Sequence, residues 1–127
     1  MRIRFAAAAL LALSAAACTQ AGVSAEQAVS LTHGGRAERG KVWIQEYGCG
    51  GCHEIPGIRG ARGRVGPPLG DVATSLFIAG VTPNQPTNLI AWLQDPPAVD
   101  SATAMPNVGL SRAQARDVAA YLYTLSR

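Results

Sequence analysis

The residues with the clearest chemistry form one short run, Cys49-Gly50-Gly51-Cys52-His53. Two thiols three residues apart on one turn can reach the two vinyl groups of a porphyrin and form thioethers. The histidine that follows points across the ring plane to the iron, and the two glycines carry no side chain that would clash with the macrocycle. This spacing predicts one covalently attached haem c, with Cys49 and Cys52 as attachment residues and His53 as an axial ligand.

Three other sites can be built from a Cys-x-x-Cys pair. A thioredoxin-like redox pair needs a strand-to-helix context, which the residues around Cys49 and Cys52 do not predict. A zinc site needs further ligands, and the chain offers no second pair of Cys or His. A structural disulfide leaves His53 without a role. Haem attachment is therefore favoured over these alternatives.

The second axial ligand follows from counting methionines. The chain has 2 Met, and Met1 lies in the export signal described below, so Met105 is the methionine of the mature chain. Met105 lies in a proline-rich loop, where a methionine that only fills the core is less expected. A thioether opposite His53 raises the reduction potential relative to a bis-histidine site. We predict Met105 as this ligand and keep His33 as the alternative, although a solvent-exposed role is the simpler interpretation of His33.

Residues 1–17 are predicted to be a signal peptide. Arg2 and Arg4 precede an apolar run over residues 5–17, which is shorter than the about 20 residues that a bilayer-spanning helix needs. Cleavage before Cys18 resembles lipoprotein processing, in which this cysteine is lipidated and anchors the protein to a membrane, although Ala15 stands where leucine is usual. The alternative is an ordinary cut that releases a soluble periplasmic protein.

Composition limits the mature chain to one small domain. The 127 residues are 48% hydrophobic but only 6% aromatic, so the core must be built largely from short side chains. This composition excludes a disulfide-dense scaffold, a coiled coil and a polytopic membrane protein. The net charge of +3 falls when the signal peptide is removed, and no basic run is interleaved with aromatic residues. Nucleic acid is therefore not an expected partner. The expected oligomeric state is a monomer.

Four segments with helical periodicity follow a polar stretch, residues 18–35, that is predicted to be a flexible tether. Asp71 is expected to cap the second helix, Pro96-Pro97 to end the third, and Ser111 with Gln114 to form a capping box before the fourth. The predicted helices are 36–47, 71–79, 88–95 and 111–126. The predicted core positions are Ala37, Gly40, Ile44 and Tyr47; Leu89, Ile90, Trp92 and Leu93; and Ala115, Val118, Ala119, Leu122 and Leu125. The fold class is therefore all-α, with four short helices of a 36–127 domain wrapped around one haem.

Short motifs throughout this domain point to a known family. They lie at residues 48–53, 63–67, 78–80, 83–86, 88–89, 92–93, 95–96, 105–106 and 120–122. On these motifs the sequence resembles the class I c-type cytochromes, and within them the cytochrome c domain fused to subunit II of caa-type cytochrome c oxidases. No transmembrane hairpin or copper-binding domain precedes the motifs, so we expect a freestanding module.

The resemblance implies roles for further residues. The carbonyl of Pro67 would bind the other ring nitrogen of His53, which sets the tautomer of the ligand. Gly40 would face Tyr121 where the first and last helices cross. Trp92 would contact a haem propionate or pack on the porphyrin.

Two departures from the fused-domain pattern concern the surface around the site. Pro68 stands where aspartate or asparagine is usual, and residues 100–102 replace a typical Lys-Pro-Gly run, so the rim around Met105 is less basic here. Arg59, Arg62 and Arg64 form a basic cluster after the haem motif, for which propionate contact, an acidic docking partner and plain solvation are all open.

A six-coordinate haem iron has no position for a substrate, so the expected function is electron transfer and not catalysis. We expect a periplasmic mono-haem cytochrome that passes single electrons in a respiratory chain towards a terminal oxidase. The alternatives are an electron-accepting haem subunit of a periplasmic dehydrogenase complex and a haem-based ligand sensor, which would require Met105 to leave the iron.

Overall fold

The computed structural model describes residues 22–125, so the predicted signal peptide and Cys18 lie outside the described residues. Within them, two strands, β1 (Phe77–Ile78) and β2 (Thr82–Pro83), pair antiparallel. The remaining regular structure is helical, which confirms the all-α fold class. No helix of this part of the chain is long and apolar enough to cross a membrane. The helices are α1 (Ala25–Leu31), α2 (Ala37–Glu46), α3 (Pro86–Gln94), α4 (Pro96–Val99) and α5 (Arg112–Thr124).

The last helix, α5, is the element on which α1, α2 and α3 pack. It begins with the predicted capping box: Ser111 Oγ accepts from the backbone N–H of Gln114, and the Gln114 side chain accepts from the N–H of Ser111. Both predicted contacts are confirmed. The face predicted from the helical period is buried, as are the predicted core positions of α3.

Helices α2 and α5 come closest at Gly40. A Cβ atom there would collide with the carbonyl oxygen of Asp117 and lie 3.0 Å from Cβ of Tyr121. Only glycine therefore fits at this crossing. The structure places Gly40 against Tyr121, the pair that the resemblance implied.

A buried carboxylate ties the start of α2 to α5. Asp117 is 3% exposed, and its oxygens accept hydrogen bonds from the backbone N–H of Arg36 at 2.8 Å, from Nη2 of Arg39 at 3.0 Å and from the indole Nε1 of Trp43 at 3.2 Å. These donors are needed because a buried charge without partners is strongly destabilising. The helical period alone gave no reason to single out Asp117.

The flexible tether predicted for residues 18–35 is wrong in its described part. Helix α1 forms there, and the N-cap Ser24 takes part in a capping box. Ala28 is fully buried, and the N–H of Val23 donates to the carbonyl of Tyr123 at 2.9 Å. A helix of 7 residues that buries one small side chain leaves little hydrophobic pattern in the sequence, which explains the error.

The helix predicted for residues 71–79 is also wrong. The segment forms one 3-10 turn (Val72–Thr74) and then β1. The side-chain amide of Asn84 donates to the carbonyls of Val72 at 2.6 Å and Ser75 at 2.8 Å. Side-chain bonds of this kind compete with helical backbone bonds. Tyr123 Oη in turn donates to Asn84 Oδ1 at 2.8 Å, so α5 anchors the hairpin.

The helix predicted for residues 88–95 ends near the expected residue but is not followed by a loop. Its C-cap is Asp95, and α4 begins at Pro96. Proline is compatible with the first turn of a helix because the N–H it lacks has no partner there. The Pro96-Pro97 pair therefore ends one helix and begins another, and the helices within residues 22–125 number five where four were predicted.

Candidate functional site

The predicted attachment residues follow α2 on one tight turn. Gly48 adopts the left-handed region with φ 68°, which glycine does without steric cost. The backbone N–H groups of Cys52 and His53 both lie within hydrogen-bonding distance of the Cys49 carbonyl, at 3.2 and 3.0 Å. The turn therefore presents two thiols and one imidazole from a single short segment that follows a helix. The strand-to-helix context of a thioredoxin-like pair is not found at this turn.

The two thiols differ in their surroundings. Cys49 is partly buried, Cys52 is exposed, and neither takes part in a disulfide. Burial is the main cause that raises the pKa of the Cys49 thiol, with a smaller contribution from Cys52 and an opposing one from a backbone hydrogen bond.

The imidazole of His53 is held by the loop that follows it. Nδ1 lies 2.8 Å from the carbonyl oxygen of Pro67, the contact that the resemblance implied. Because a carbonyl only accepts, Nδ1 carries the proton and Nε2 keeps a lone pair for a metal. Gly66 lies against the ring: a Cβ there would overlap Cε1 and stand 2.6 Å from Nδ1. The hydrogen bond and the close approach of Gly66 together fix the orientation of the ring.

The loop over residues 54–69 folds back on the attachment turn. The backbone N–H of Gly63 donates to two carbonyl oxygens, that of Gly50 at 3.0 Å and that of His53 at 3.2 Å. The backbone N–H of Gly66 donates to the carbonyl oxygen of Cys52 at 2.8 Å. A Cβ on Gly50 would lie 2.7 Å from Cα of Ala61. Gly50 is therefore needed for close approach to this loop, a reason that the sequence did not indicate.

Helix α5 fixes the same loop from the other side. Tyr121 Oη donates to the carbonyl of Pro56 at 2.8 Å. Gly57 adopts φ 75°, and a Cβ there would stand 2.5 Å from the Tyr121 hydroxyl. Burial raises the pKa of Tyr121. The resemblance assigned Tyr121 to the helix crossing, but its hydroxyl has a second role in positioning the loop that holds Pro67.

Met105, Trp92 and His33 occupy different surroundings. Met105 is partly buried and packs against the hydrophobic core, and its N–H donates to Oγ1 of Thr103 at 3.2 Å. Trp92 is buried in α3. His33 is exposed in the turn after α1, with φ 53°. The roles of Met105, His33 and Trp92 towards a cofactor stay predictions.

The residues present fit a covalently bound haem. Two thiols on one turn could form the thioethers, and Nε2 of His53 would be the ring nitrogen left to bind the iron. Among residues 22–125 no group of three or more His, Cys, Asp or Glu side chains is placed to hold a metal ion. These residues therefore supply no ligand set for the alternative zinc site.

Comparisons with known proteins agree with this chemistry. A family model described as Cytochrome c matches residues 37–126. A stretch of 70 residues is 33% identical to the "Cytochrome c oxidase subunit 2" of Alkalihalophilus pseudofirmus. The aligned stretch makes up 55% of this chain and 20% of that protein. The similarity thus concerns about a fifth of that relative's length. No solved structure shows a significant match. The family match contains the attachment turn, Pro67, Trp92 and Met105.

Proposed function

Because the chain belongs to the cytochrome c family, we propose that it carries single electrons in a periplasmic respiratory chain towards a terminal oxidase. The family binds haem c covalently, so the chain is a haem electron-transfer protein. The proposal adds its compartment, its second axial ligand and the direction of electron flow.

The observation that carries the proposal is the fixed imidazole of His53. Its Nδ1 is bound to the Pro67 carbonyl and its ring lies against Gly66. A ligand held in this way changes position little when the charge of the site changes by one electron. Haem supplies the one-electron couple when bound. The Pro67 carbonyl and Gly66 orient the ligand.

Met105 would supply the second protein ligand of the haem iron, together with His53. Its thioether has no titratable proton at neutral pH, so electron transfer requires no proton transfer at this ligand. A thioether ligand also raises the reduction potential compared with a second imidazole. With His53 and Met105 both bound, the iron would offer no free position to a substrate or a gaseous ligand.

The acceptor and the compartment rest on separate observations. The relative named cytochrome c oxidase subunit 2 supports an oxidase as the acceptor. The export pattern of residues 1–17 and the lipoprotein-like sequence at Cys18 support a periplasmic protein with a lipid anchor. Replacing Cys18 by alanine is expected to move the protein from the membrane fraction to the soluble fraction. Unchanged membrane association would contradict the anchor.

Ligand binding tests the proposed function directly. We expect haem that resists acid-acetone extraction, a low-spin spectrum in both oxidation states, and no reaction of the reduced protein with carbon monoxide. The Met105→Ala variant is expected to keep its haem and to bind carbon monoxide. Wild-type protein that binds carbon monoxide readily would favour a ligand sensor, and co-purification at fixed stoichiometry with a dehydrogenase would favour a subunit of that enzyme.

A further inference from the structure

Helix α1 is an addition to the cytochrome c domain. The family match begins at residue 37, whereas α1 spans Ala25–Leu31 and packs on α5. Membership of the family therefore does not account for this helix. In the chain it lies between Cys18, the residue proposed to carry the lipid, and the haem domain, so its structure bears on how the domain is attached to a membrane.

The chain before α1 is fixed to the last turn of α5. The backbone N–H of Val23 donates to the carbonyl oxygen of Tyr123 at 2.9 Å. A Cβ on Gly22 would stand 2.5 Å from the carbonyl oxygen of Thr124 and 2.6 Å from that of Leu125, so this close approach requires glycine. These five residues therefore form one packed unit, which we term the anchor-proximal end of the domain.

The chain after α1 is fixed to the first half of α5. Thr32 is fully buried, and its Oγ1 accepts a hydrogen bond from the N–H of Gly35 at 3.1 Å. A Cβ on Gly35 would collide with the carbonyl oxygen of Arg116. The carboxylate of Asp117 then binds the N–H of Arg36 at 2.8 Å. The segment is therefore held by α5 both before and after α1 and is not a flexible tether.

Little chain is left between this segment and the proposed lipid. Thr19, Gln20 and Ala21 separate Cys18 from Gly22. An extended chain covers at most about 3.6 Å per residue, so the Cα atoms of Cys18 and Gly22 are at most about 14 Å apart. Helix α5 is longer than this link, because its 13 residues at about 1.5 Å each span about 20 Å. A lipid on Cys18 would therefore keep the anchor-proximal end at the bilayer.

We propose that residues 22–36 form a rigid mount, which holds the anchor-proximal end of the domain against the surface of the membrane that contains the Cys18 lipid. The bilayer surface, and not a protein, covers this end. The domain does not swing freely, because the link is short and the mount is part of the fold. This inference rests on the proposed lipid anchor and adds the surface that faces the membrane.

The mount also affects how a redox partner can approach. Tyr121, in the last turn of α5, donates its hydroxyl to the carbonyl of Pro56 at 2.8 Å. The loop over residues 54–69 is therefore fixed to the same turn of α5 as the mount. A partner embedded in the same membrane meets a domain whose height above the bilayer and whose orientation are restricted.

Distance from the membrane tests the mount in the intact lipidated holoprotein. Nitroxide labels are attached at Ala25→Cys, in the first turn of α1, and at Arg112→Cys, at the other end of α5; both positions are exposed. Cys49 and Cys52 are not labelled, because haem attachment occupies both thiols. In phosphatidylcholine vesicles that contain a nickel-chelating lipid, the added spin relaxation is expected to be several-fold larger at position 25 than at position 112.

A longer link is the matched comparison. About 12 flexible Gly and Ser residues inserted between Ala21 and Gly22 add a coil of about 20 Å and leave the mount unchanged. This insertion is expected to remove most of the difference between the two labels. Equal relaxation at both positions without the insertion would overturn the mount while the anchor remains. Release of the wild-type protein into the soluble fraction would overturn the anchor, and the mount with it.

Hydrogen exchange tests the mount without a membrane. In the soluble Cys18→Ala holoprotein, the Val23 amide is expected to exchange about tenfold or more slowly than an unstructured amide. Adding Gly22→Val is expected to abolish this protection, whereas Ala25→Val, at an exposed position, should keep it. Unchanged protection of the Ala115 amide, which is bound within α5, is the check that both variants keep the fold. A Val23 amide that is unprotected in the chain with Gly22 would overturn the rigid mount.

Discussion

The two loops that carry the proposed axial ligands are held in different ways. The loop after His53 is bound to the attachment turn through Gly63 and Gly66 and to α5 through Tyr121. The hydrogen bonds of residues 101–109, in contrast, join residues two or three apart, such as Met105 to Thr103. The histidine side is therefore held by contacts between segments that are distant in sequence, whereas the bonds of the Met105 loop, in the part of the chain that the structure describes, are local.

The largest effect is expected from a methyl group beside the His53 ring. In Gly66→Ala the added Cβ overlaps the imidazole, so the ring or the loop must move. We expect the free energy of unfolding of the holoprotein to fall by about 1–3 kcal/mol, measured by denaturant titration, together with a changed visible spectrum.

The neighbouring variant Val65→Ala serves as the control for Gly66→Ala. Val65 is exposed, so its truncation is expected to change the free energy of unfolding by less than about 0.5 kcal/mol. A fully stable Gly66→Ala protein with an unchanged spectrum would show that the histidine side is as adaptable as the methionine side.

A smaller effect is expected from the hydroxyl that joins α5 to the histidine-side loop. Tyr121→Phe removes the bond to the Pro56 carbonyl and is expected to cost about 1 kcal/mol. Hydrogen exchange of the Ile58 and Ala61 amides is expected to become faster. Tyr47→Phe, which removes a bond between α2 and α5, is the control and should leave these two amides unchanged.

The same hydroxyl makes the histidine-side loop sensitive to alkaline pH. Burial raises the pKa of Tyr121 in the folded protein above its ordinary value of 10.0. The contribution of this group to stability is therefore complete below about pH 10 and is lost as the pH rises through the folded-state pKa. Exchange of the Ala61 amide, corrected for intrinsic rates, should rise above pH 10 in the wild type. If Ala61 exchange shows the same dependence on pH in Tyr121→Phe, ionisation of Tyr121 is not its cause.

The smallest change in stability is expected on the methionine side. Asp100→Ala removes an exposed bond from the Ala102 N–H to Oδ1 of Asp100, so the free energy of unfolding should change by less than about 0.5 kcal/mol. Because Met105 is held locally, added imidazole should replace its proposed bond to the haem iron about two- to fivefold faster in Asp100→Ala than in the wild type. Tyr121→Phe should not alter that rate. An unchanged rate in Asp100→Ala would contradict the local anchoring of Met105.

How much of the fold could be predicted depended on how far apart in the sequence the contacting residues lie. The capping box at Ser111 and the buried face of α5 depend on residues three or four apart, and both were predicted. Helix α1 also begins with a local capping box, between Ser24 and Gln27, which was missed because only Ala28 is buried in the 7-residue helix and no apolar period follows the box. The 71–79 helix was wrongly predicted because the bonds from Asn84 were not visible in a local pattern.

In the candidate site, too, the local features were predicted and the contacts between distant segments were not. The spacing of Cys49, Cys52 and His53 identified the attachment chemistry, and the resemblance pointed to Pro67. The contact between Gly50 and Ala61, the bond from Tyr121 to Pro56 and the buried Asp117 were not predicted. Each of them joins segments that are distant in sequence, and no residue type or spacing specifies such a partner.

The sequence by itself determined the cofactor chemistry, because thioether formation and iron ligation need particular side chains at a short, local spacing. It also determined most of the helices, because capping and the helical period are local properties. Only the tertiary structure decided that Gly66 packs against the His53 ring and that Tyr121 of α5 binds the loop over residues 54–69. These features arise from close approach of the α5, 54–69 and attachment segments, and such contacts exist only once the chain is folded.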